Sequence, residues 1–410
     1  MPMRRLVEDL PWFVDIGRRF LTWNQNDCFV DCGILAEYAA FSCAPDRLDT
    51  IIQDESPLTI RLRELLNLLF SDELDGSKKI DTRTRTYPHP SLFTRLTKLN
   101  KNHTITDLPT RMAEDYRLNW WRDLHLTPGT SGIPEVGDVG DIEDWMMITA
   151  GLDFESPTSL ADRYVRRSVS VRCGGCHYVQ VINQQIPVIR VMPSYMSTQR
   201  STSWENFKTM ELAINTTLFG PVHHTAVRKC KDCHGHRTRT VSFPNPLPRV
   251  LHIAVSSQPI KGYTGSLRPT PWWSDGAPIT VGKTPYHLVA ISWWNGGHYI
   301  MTARFGFSDS DDEEEARDRW KLYDDMNDKG ALVDNEAYGS RLPSDDRETG
   351  TYLYTSSGKP RKFGSYRPRM FHFVTRDEND ASRIPDINDV HYVVRNERFN
   401  LTAQCDFNLR

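Results

Sequence analysis

The sequence has no long apolar run, no basic stretch and no internal repeat apart from a doubled C-x-x-C, and each absence removes a class of protein. Nothing approaches the ~20 consecutive apolar residues of a membrane-spanning helix. Met1–Asp9 carries Arg4 and Arg5 but no apolar core of a secretory signal. A reducing compartment, cytoplasm and/or nucleus, is therefore expected. Lys and Arg number 50 against 53 Asp and Glu, so the electrostatic footprint of a nucleic-acid binder is missing. Neither nucleic acid nor a membrane is an expected partner. Cysteine is also scarce, eight residues in 410, and four of the eight fall in two C-x-x-C pairs rather than in a disulfide framework.

What is present is a hydrophobic fraction of 39% with 11 Trp and 25 Pro, enough for a real core with irregular connections. At ~100–200 residues per domain the length predicts two or three lobes. Val30, Ile34, Leu35, Tyr38 and Phe41 recur at helical spacing after Asp27, a plausible N-cap, and predict one buried stripe. Ile60–Phe70 and Glu143–Leu152 read as two further helices. Later the texture changes. Short alternating segments at Tyr164–Asn183, Lys229–Phe243, Arg249–Ser257, Tyr286–Trp294, His298–Phe307, Arg319–Asp325 and Arg369–Arg376 predict strands. Ser308–Asp318 is an acidic loop, and Asp345–Arg367 is polar and Gly-rich.

The doubled cysteine spacing is the most specific local signal. Cys173/Cys176 and Cys230/Cys233 can each supply two thiolates to one tetrahedral structural zinc. The long stretch between the pairs is expected to form a β-hairpin arm. His177, His223, His224, His234 and His236 crowd the pairs and are expected to be solvated rather than ligands. Cys28 stands at a helix entrance, where the dipole and free N–H groups favour a thiolate. Asp27 beside it works the other way. A base changes the reading of Cys28. His298 follows Gly296 and Gly297 at the start of a strand, where the two glycines allow a backbone to pass close. Asp324 can orient that imidazole, completing a nucleophile–base–orienter set. Asp325 is expected to point the other way.

The order of these motifs resembles the ubiquitin-specific protease family of papain-like cysteine peptidases. Asn26, Cys28 and Phe29 match the family's Cys box, with Asp27, Asp31 and Cys32 where it has Thr, Asn and Ser. Tyr286, Leu288, Gly297, His298 and Tyr299 are in register with its His box, and Trp320, Tyr323, Asp324 and Asp325 with its closing motif. Leu247–Ile253, Gly140–Met146 and Pro368–Arg376 are similar to further family segments. The chain departs from the family at Trp23, which stands where the oxyanion-hole Asn is expected. Asn24 or Asn26, one or three residues out of register, is the substitute expected to act with the Cys28 N–H.

The resemblance implies an α+β fold: a helical thumb (18–165) with the nucleophile, a zinc-binding β fingers arm (166–245), and a β-rich palm (246–376) with His298 and Asp324. An N-terminal extension (1–17) and a C-terminal one (377–410) flank them. It implies a thiol-dependent deubiquitinase that cleaves the (iso)peptide bond after the C-terminal Gly of ubiquitin or a ubiquitin-like protein through an acyl-enzyme. Its catalytic residues would be Cys28, His298, Asp324, Asn26 and Asp325, with Gly296, Gly297, Tyr299 and Asp144 on the substrate. Zn2+ on Cys173, Cys176, Cys230 and Cys233 would be structural. The alternative is a pseudoprotease of the same fold that only binds ubiquitin. A zinc-finger nucleic-acid binder is a poorer third reading, given the near-neutral charge.

Overall fold

The computed structural model describes residues 21, 26–43, 61–62, 65, 108–126, 132–151, 164–191, 210–219, 224–225, 229–255, 278–304, 320–326, 332–334 and 367–375. In chain order the elements begin with helices α1 (Cys28–Ser42), α2 (Leu108–Leu126) and α3 (Ile142–Gly151). Strands β1 (Val165–Cys173), β2 (Val179–Ile186) and β3 (Val188–Val191) precede helix α4 (Met210–Phe219). Then come β4 (His224–Thr225), β5 (Arg237–Ser242), β6 (Val250–Val255), β7 (Ile279–Val281) and β8 (Thr284–Trp294). The last are β9 (Tyr299–Arg304), β10 (Trp320–Tyr323), β11 (Leu332–Asp334) and β12 (Arg367–Val374). The fold mixes helix and strand, as expected. Among the described residues, no helix is long and apolar enough to cross a membrane.

The chain divides into two compact units. One is Met1–Ser159 with Ala290–Tyr338, and the other is Leu160–Val289 with Gly339–Arg410. In the first, α1 packs on α3 and on β9. The sequence predicts a single apolar stripe on α1, but every described side chain from Cys28 to Ala40 is buried. Small residues permit this. A Cβ on Gly33 would stand 2.3 Å from the Trp145 indole of α3, so glycine is what lets the two helices meet. Strand β9 runs antiparallel between Ala290–Trp294 of β8 and Trp320–Tyr323 of β10. All six of its residues are buried, so both faces are covered.

The second unit holds an antiparallel sheet in the order β2-β1-β5-β4. The β1 sequence VRRSVSVRC alternates between buried and more exposed positions over most of its length, as the period-2 pattern predicts. Elsewhere in the unit β6 pairs parallel with β3 and antiparallel with β12, while β7 pairs with the start of β8. The arm between the cysteine pairs is not a hairpin alone, since β3, α4 and β4 follow β2. Helix α4 is tied down at both ends. Glu211 Oε2 accepts the Thr280 N–H at 2.7 Å, and Arg167 Nη1 donates to the carbonyls of Thr217 and Leu218 at 3.1 Å each. The latter satisfies carbonyls that a helix end leaves open.

All seven predicted strand segments contain strands. The first and third predicted helices are present as α1 and α3, while α2 and α4 were not foreseen. Of Ile60–Phe70, the described residues Arg61, Leu62 and Leu65 are helical. The acidic loop Ser308–Asp318, Trp23, His223 and all of Asp345–Arg367 but its last residue lie outside the described residues.

Candidate active site and cysteine cluster

Cys28 is the first residue of α1, after Asn26, whose φ of 63° is a left-handed turn conformation that Asn tolerates. The side-chain amide of Asn26 donates to the Gly137 carbonyl at 2.8 Å. That bond occupies one of its two N–H groups and fixes the entrance of the helix. Cys28 is 5% exposed, and its sulfur accepts the Tyr299 N–H at 3.5 Å. So the start of β9 lies directly against the thiol.

His298 immediately precedes Tyr299, in the hairpin that joins β8 to β9. Asn295 Oδ1 accepts the N–H groups of Gly297 (3.0 Å) and His298 (2.9 Å), closing the turn. Gly296 has φ 114°, which a side chain would strain, and a Cβ there would meet nothing within 4 Å. Gly296 and Gly297 are exposed at the tip, while His298 is buried. Gly296 is thus required by the turn itself, whereas a Cβ on Gly297 would meet open space. Tyr299 is buried too, and its hydroxyl donates to Asp141 Oδ1 at 3.2 Å. Asp141 also accepts the Glu143 N–H at 2.9 Å, capping α3. Asp144, in the first turn of α3, is half-buried.

His298 Nε2 stands 3.0 Å from Asp324 Oδ1, the arrangement expected of base and orienter. Asp324 Oδ1 also accepts the Met326 N–H at 3.1 Å, so backbone fixes the carboxylate. One expectation is overturned. Asp325 does not point away: its Oδ1 lies 3.5 Å from the same Nε2, and its side chain is fully buried. Burial pushes the Asp325 carboxyl up to about 7. His298 pulls it down, while Asp27 and Asp324 add to the rise.

Beneath the thiol lies a group that the motifs did not reveal. Arg117 of α2 pairs with both Asp27 and Asp31, and all three side chains are fully buried. Burial opposes the guanidinium charge, but Asp31 and Asp27 outweigh it and raise Arg117 further above its ordinary value. The Tyr323 hydroxyl joins the group, 2.8 Å from the Leu21 carbonyl and 3.1 Å from Asp31 Oδ2. The cluster anchors the start of α1 to α2 and to the end of β10. It also sets the chemistry of the thiol. Burial first, then Asp325, Asp31 and Asp27, push Cys28 up to about 12 against the Tyr299 N–H. The resting group is therefore a thiol, not a thiolate. Cys32, one turn on, is fully buried and raised well above its ordinary value, chiefly by burial.

The second constellation is in the other unit. Cys173, Cys176, Cys230 and Cys233 place their sulfurs within 4.8 Å of one another. Two of the separations are 3.4 Å (Cys173–Cys233) and 3.5 Å (Cys176–Cys230). Sulfurs on a tetrahedral zinc with bonds of ~2.3 Å stand ~3.8 Å apart, so the residues fit the ion. The backbone is built for it. The Gly175 and Gly235 N–H groups each donate to a sulfur at 3.4 Å. A Cβ on Gly175 would come 3.0 Å from the Cys233 sulfur, and one on Gly235 would come 3.1 Å from it. N–H donors from Cys233 and Asp232, with Arg237, pull Cys230 down to about 6. Cys176 goes up to about 12: the Tyr178 N–H lowers it, but sharing hydrogen bonds with Cys230 and Cys233 raises it more. Four thiols this close cannot all ionise unless a cation sits among them. His177 and His234, which follow the second cysteine of each pair, have φ of 56° and 55° and are exposed. They shape the turns, as solvated residues.

No protein-family profile matches the chain, and no curated protein does. Solved structures do. The SAGA DUB module of Ubp8, Sgf11, Sus1 and Sgf73 bound to monoubiquitin is similar over 92% of this chain and 74% of that chain, with a TM-score of 0.45 at 9% identity. The SAGA Ubp8/Sgf11/Sus1/Sgf73 DUB module bound to ubiquitin aldehyde is similar over 88% and 70%, with a TM-score of 0.44 at 10% identity.

Proposed function

We propose that the protein is a divergent cysteine peptidase that hydrolyses the bond after the C-terminal Gly of ubiquitin or a ubiquitin-like protein. One observation supports this above the others. The thiol of Cys28 abuts the N–H of Tyr299, and the preceding residue, His298, has Nε2 on Asp324. An imidazole so held offers its other nitrogen, Nδ1, as the base. Nδ1 takes the Cys28 proton, and the thiolate attacks the terminal carbonyl. The proton passes to the departing amine, and water then hydrolyses the acyl-enzyme. Asp324 orients the ring and stabilises its charged form. Asn26 and the Cys28 N–H are the donors proposed for the oxyanion. Asp144, Gly296, Gly297 and Tyr299 flank the substrate tail. In this reading the thumb, palm and fingers divide the chain as the family resemblance implies, with structural zinc on the four cysteines and a cytoplasmic or nuclear location.

A second reading, a pseudoprotease that binds ubiquitin without cleaving it, is favoured by the buried thiol, pushed up to about 12, and by Trp23 at the usual oxyanion position. Ubiquitin and ubiquitin-like proteins with a C-terminal electrophile separate the two. Peptidase activity predicts covalent capture that Cys28→Ala abolishes, His298→Ala slows by orders of magnitude and Cys32→Ala retains. Reversible binding without capture assigns the pseudoprotease; neither capture nor binding sinks both readings.

A further inference from the structure

We propose that His298 Nε2, Asp324 Oδ1 and Asp325 Oδ1 form a binding site for a divalent transition-metal cation, additional to the four-cysteine cluster. The three ligand atoms lie within 4.8 Å of one another. Nε2 is 3.0 Å from one carboxylate oxygen and 3.5 Å from the other. Ligand atoms on a tetrahedral ion with bonds of ~2.0–2.1 Å stand ~3.3 Å apart. The two separations from Nε2 are therefore already within a few tenths of an ångström of those around a bound ion.

An independent observation concerns Asp325. Its side chain is fully buried, yet neither carboxylate oxygen makes a hydrogen bond. A buried carboxylate without donors is costly, and a cation is one of the few things that offsets it. The surroundings sharpen the point. Asp27 and Asp31 also bring carboxylate oxygens within 4.8 Å of Asp325. Asp27 and Asp31 pair with the Arg117 guanidinium, and Asp324 with the His298 imidazole. A divalent ion would give the Asp325 carboxylate a partner of its own. The ligands are also held in place: Asp324 by the Met326 N–H, and the His298 backbone by Asn295. One imidazole and two carboxylates suit zinc, iron or manganese and disfavour the soft ions that thiolates select.

Binding would displace any proton on Nε2 into solvent. The coordinated neutral ring then carries its remaining proton on Nδ1 and cannot accept one from Cys28. The cation would thus act as an inhibitor, a consequence that rests on the peptidase reading, whereas the site itself does not. The test uses the full chain with its cysteine cluster loaded with zinc and Mn2+ as the probe, since oxygen-rich sites take Mn2+ and thiolate sites hold zinc. Titration followed by the six-line electron paramagnetic resonance spectrum of free Mn2+ should show one equivalent withdrawn by the wild type. Asp325→Asn should lose that equivalent, and Cys28→Ala should keep it. The bound ion should show nitrogen coupling from one imidazole, which needs no variant. Failure of the folded wild type to bind Mn2+, bound Mn2+ without nitrogen coupling, or wild-type binding by Asp325→Asn would overturn the proposal. Electrophilic ubiquitin reports separately. Labelling that Mn2+ slows in the wild type supports the inhibitory role, and a wild type that binds Mn2+ but never labels refutes the peptidase reading while leaving the site intact.

Discussion

Two groups of cysteines in this chain sit in opposite electrostatic surroundings. In the second unit the sulfurs receive backbone N–H groups and one guanidinium, and Cys230 is pulled down to about 6. At the head of α1 the single Cys28 sulfur is buried, with one N–H and several carboxylates around it, and is pushed up to about 12. The side chain is the same, so the contrast comes from donors, burial and neighbouring charge. The first arrangement suits thiolates gathered on a cation. The second keeps the thiol protonated, and on the peptidase reading it ionises only when His298 takes its proton.

The largest effect that can break this comparison is removal of the zinc proposed for the four cysteines. Chelation, or Cys230→Ser, should release zinc and loosen β1 and β5, because binding energy at such a site is folding energy. Hydrogen exchange should accelerate along Val165–Cys173 and Arg237–Ser242 while α1 stays protected. Equal loss of protection in α1 would mean that the two cysteine groups are not energetically separate.

The next effect is at Arg117. Replacing it with Met leaves Asp27 and Asp31 buried without their cation, which costs about 3–5 kcal/mol. Urea unfolding should show that loss. Adding Asp27→Asn and Asp31→Asn to Arg117→Met should recover most of it, because both sides of the pair are then neutral. An Arg117→Met protein as stable as the wild type would remove the anchor from under Cys28.

Arg117 also explains what the sequence hid. Among the described side chains of α2 the buried ones are Ala113, Tyr116, Arg117, Trp120, Trp121 and Leu124, a regular helical stripe. A charged residue in the middle of that stripe masks it until its partners are known. Helix α4 is disguised differently, since Ile214, Thr216 and Thr217 are β-branched and read as strand. The strands were legible because alternation survives in β1 and because β8, β9 and β12 are rich in β-branched and aromatic residues. The positions of Cys28, His298 and Asp324 were legible from the order of short motifs. The orientation of Asp325 was not. Alternation sends neighbouring side chains to opposite faces only within a strand, and Asp324 and Asp325 follow the last residue of β10, Tyr323. Nor could one apolar stripe foretell that α1 is buried all round, which depends on what packs against Gly33 and its small neighbours.

The raised thiol gives a pH test of the same contrast. With Cys28 at about 12, its thiolate is a small fraction at neutral pH, and alkylation of Cys28 in the zinc-loaded chain should be slow there. The rate should climb roughly tenfold per pH unit through the mildly alkaline range. The folded state holds this proton more tightly than the unfolded chain, whose thiol titrates near its ordinary value of 9.0. The associated stability is therefore present below pH 9 and lost as the pH rises toward 12. Alkylation of Cys28 that is fast and flat from neutral pH upward would show that burial and the carboxylates do not control it.

The smallest effect expected is at Asn295, and it bears most directly on how the His298 imidazole is held. Its side-chain oxygen accepts two backbone N–H groups, from Gly297 and His298, at an exposed turn. Asn295→Ala removes both acceptors, but water can replace them, so the stability loss should be about 0.5–1.5 kcal/mol. The turn itself should survive, because the Asn295 N–H still donates to the His298 carbonyl at 3.3 Å and the paired strands continue on both sides. What changes is the precision with which His298 meets Asp324. Capture by electrophilic ubiquitin should slow by more than the stability loss explains, and Asn295→Asp, which keeps the acceptor oxygens, should restore much of the rate. Equal capture rates for Asn295→Ala and the wild type would show that Asp324, Asp325 and burial suffice to position the imidazole, and that the turn only connects β8 to β9.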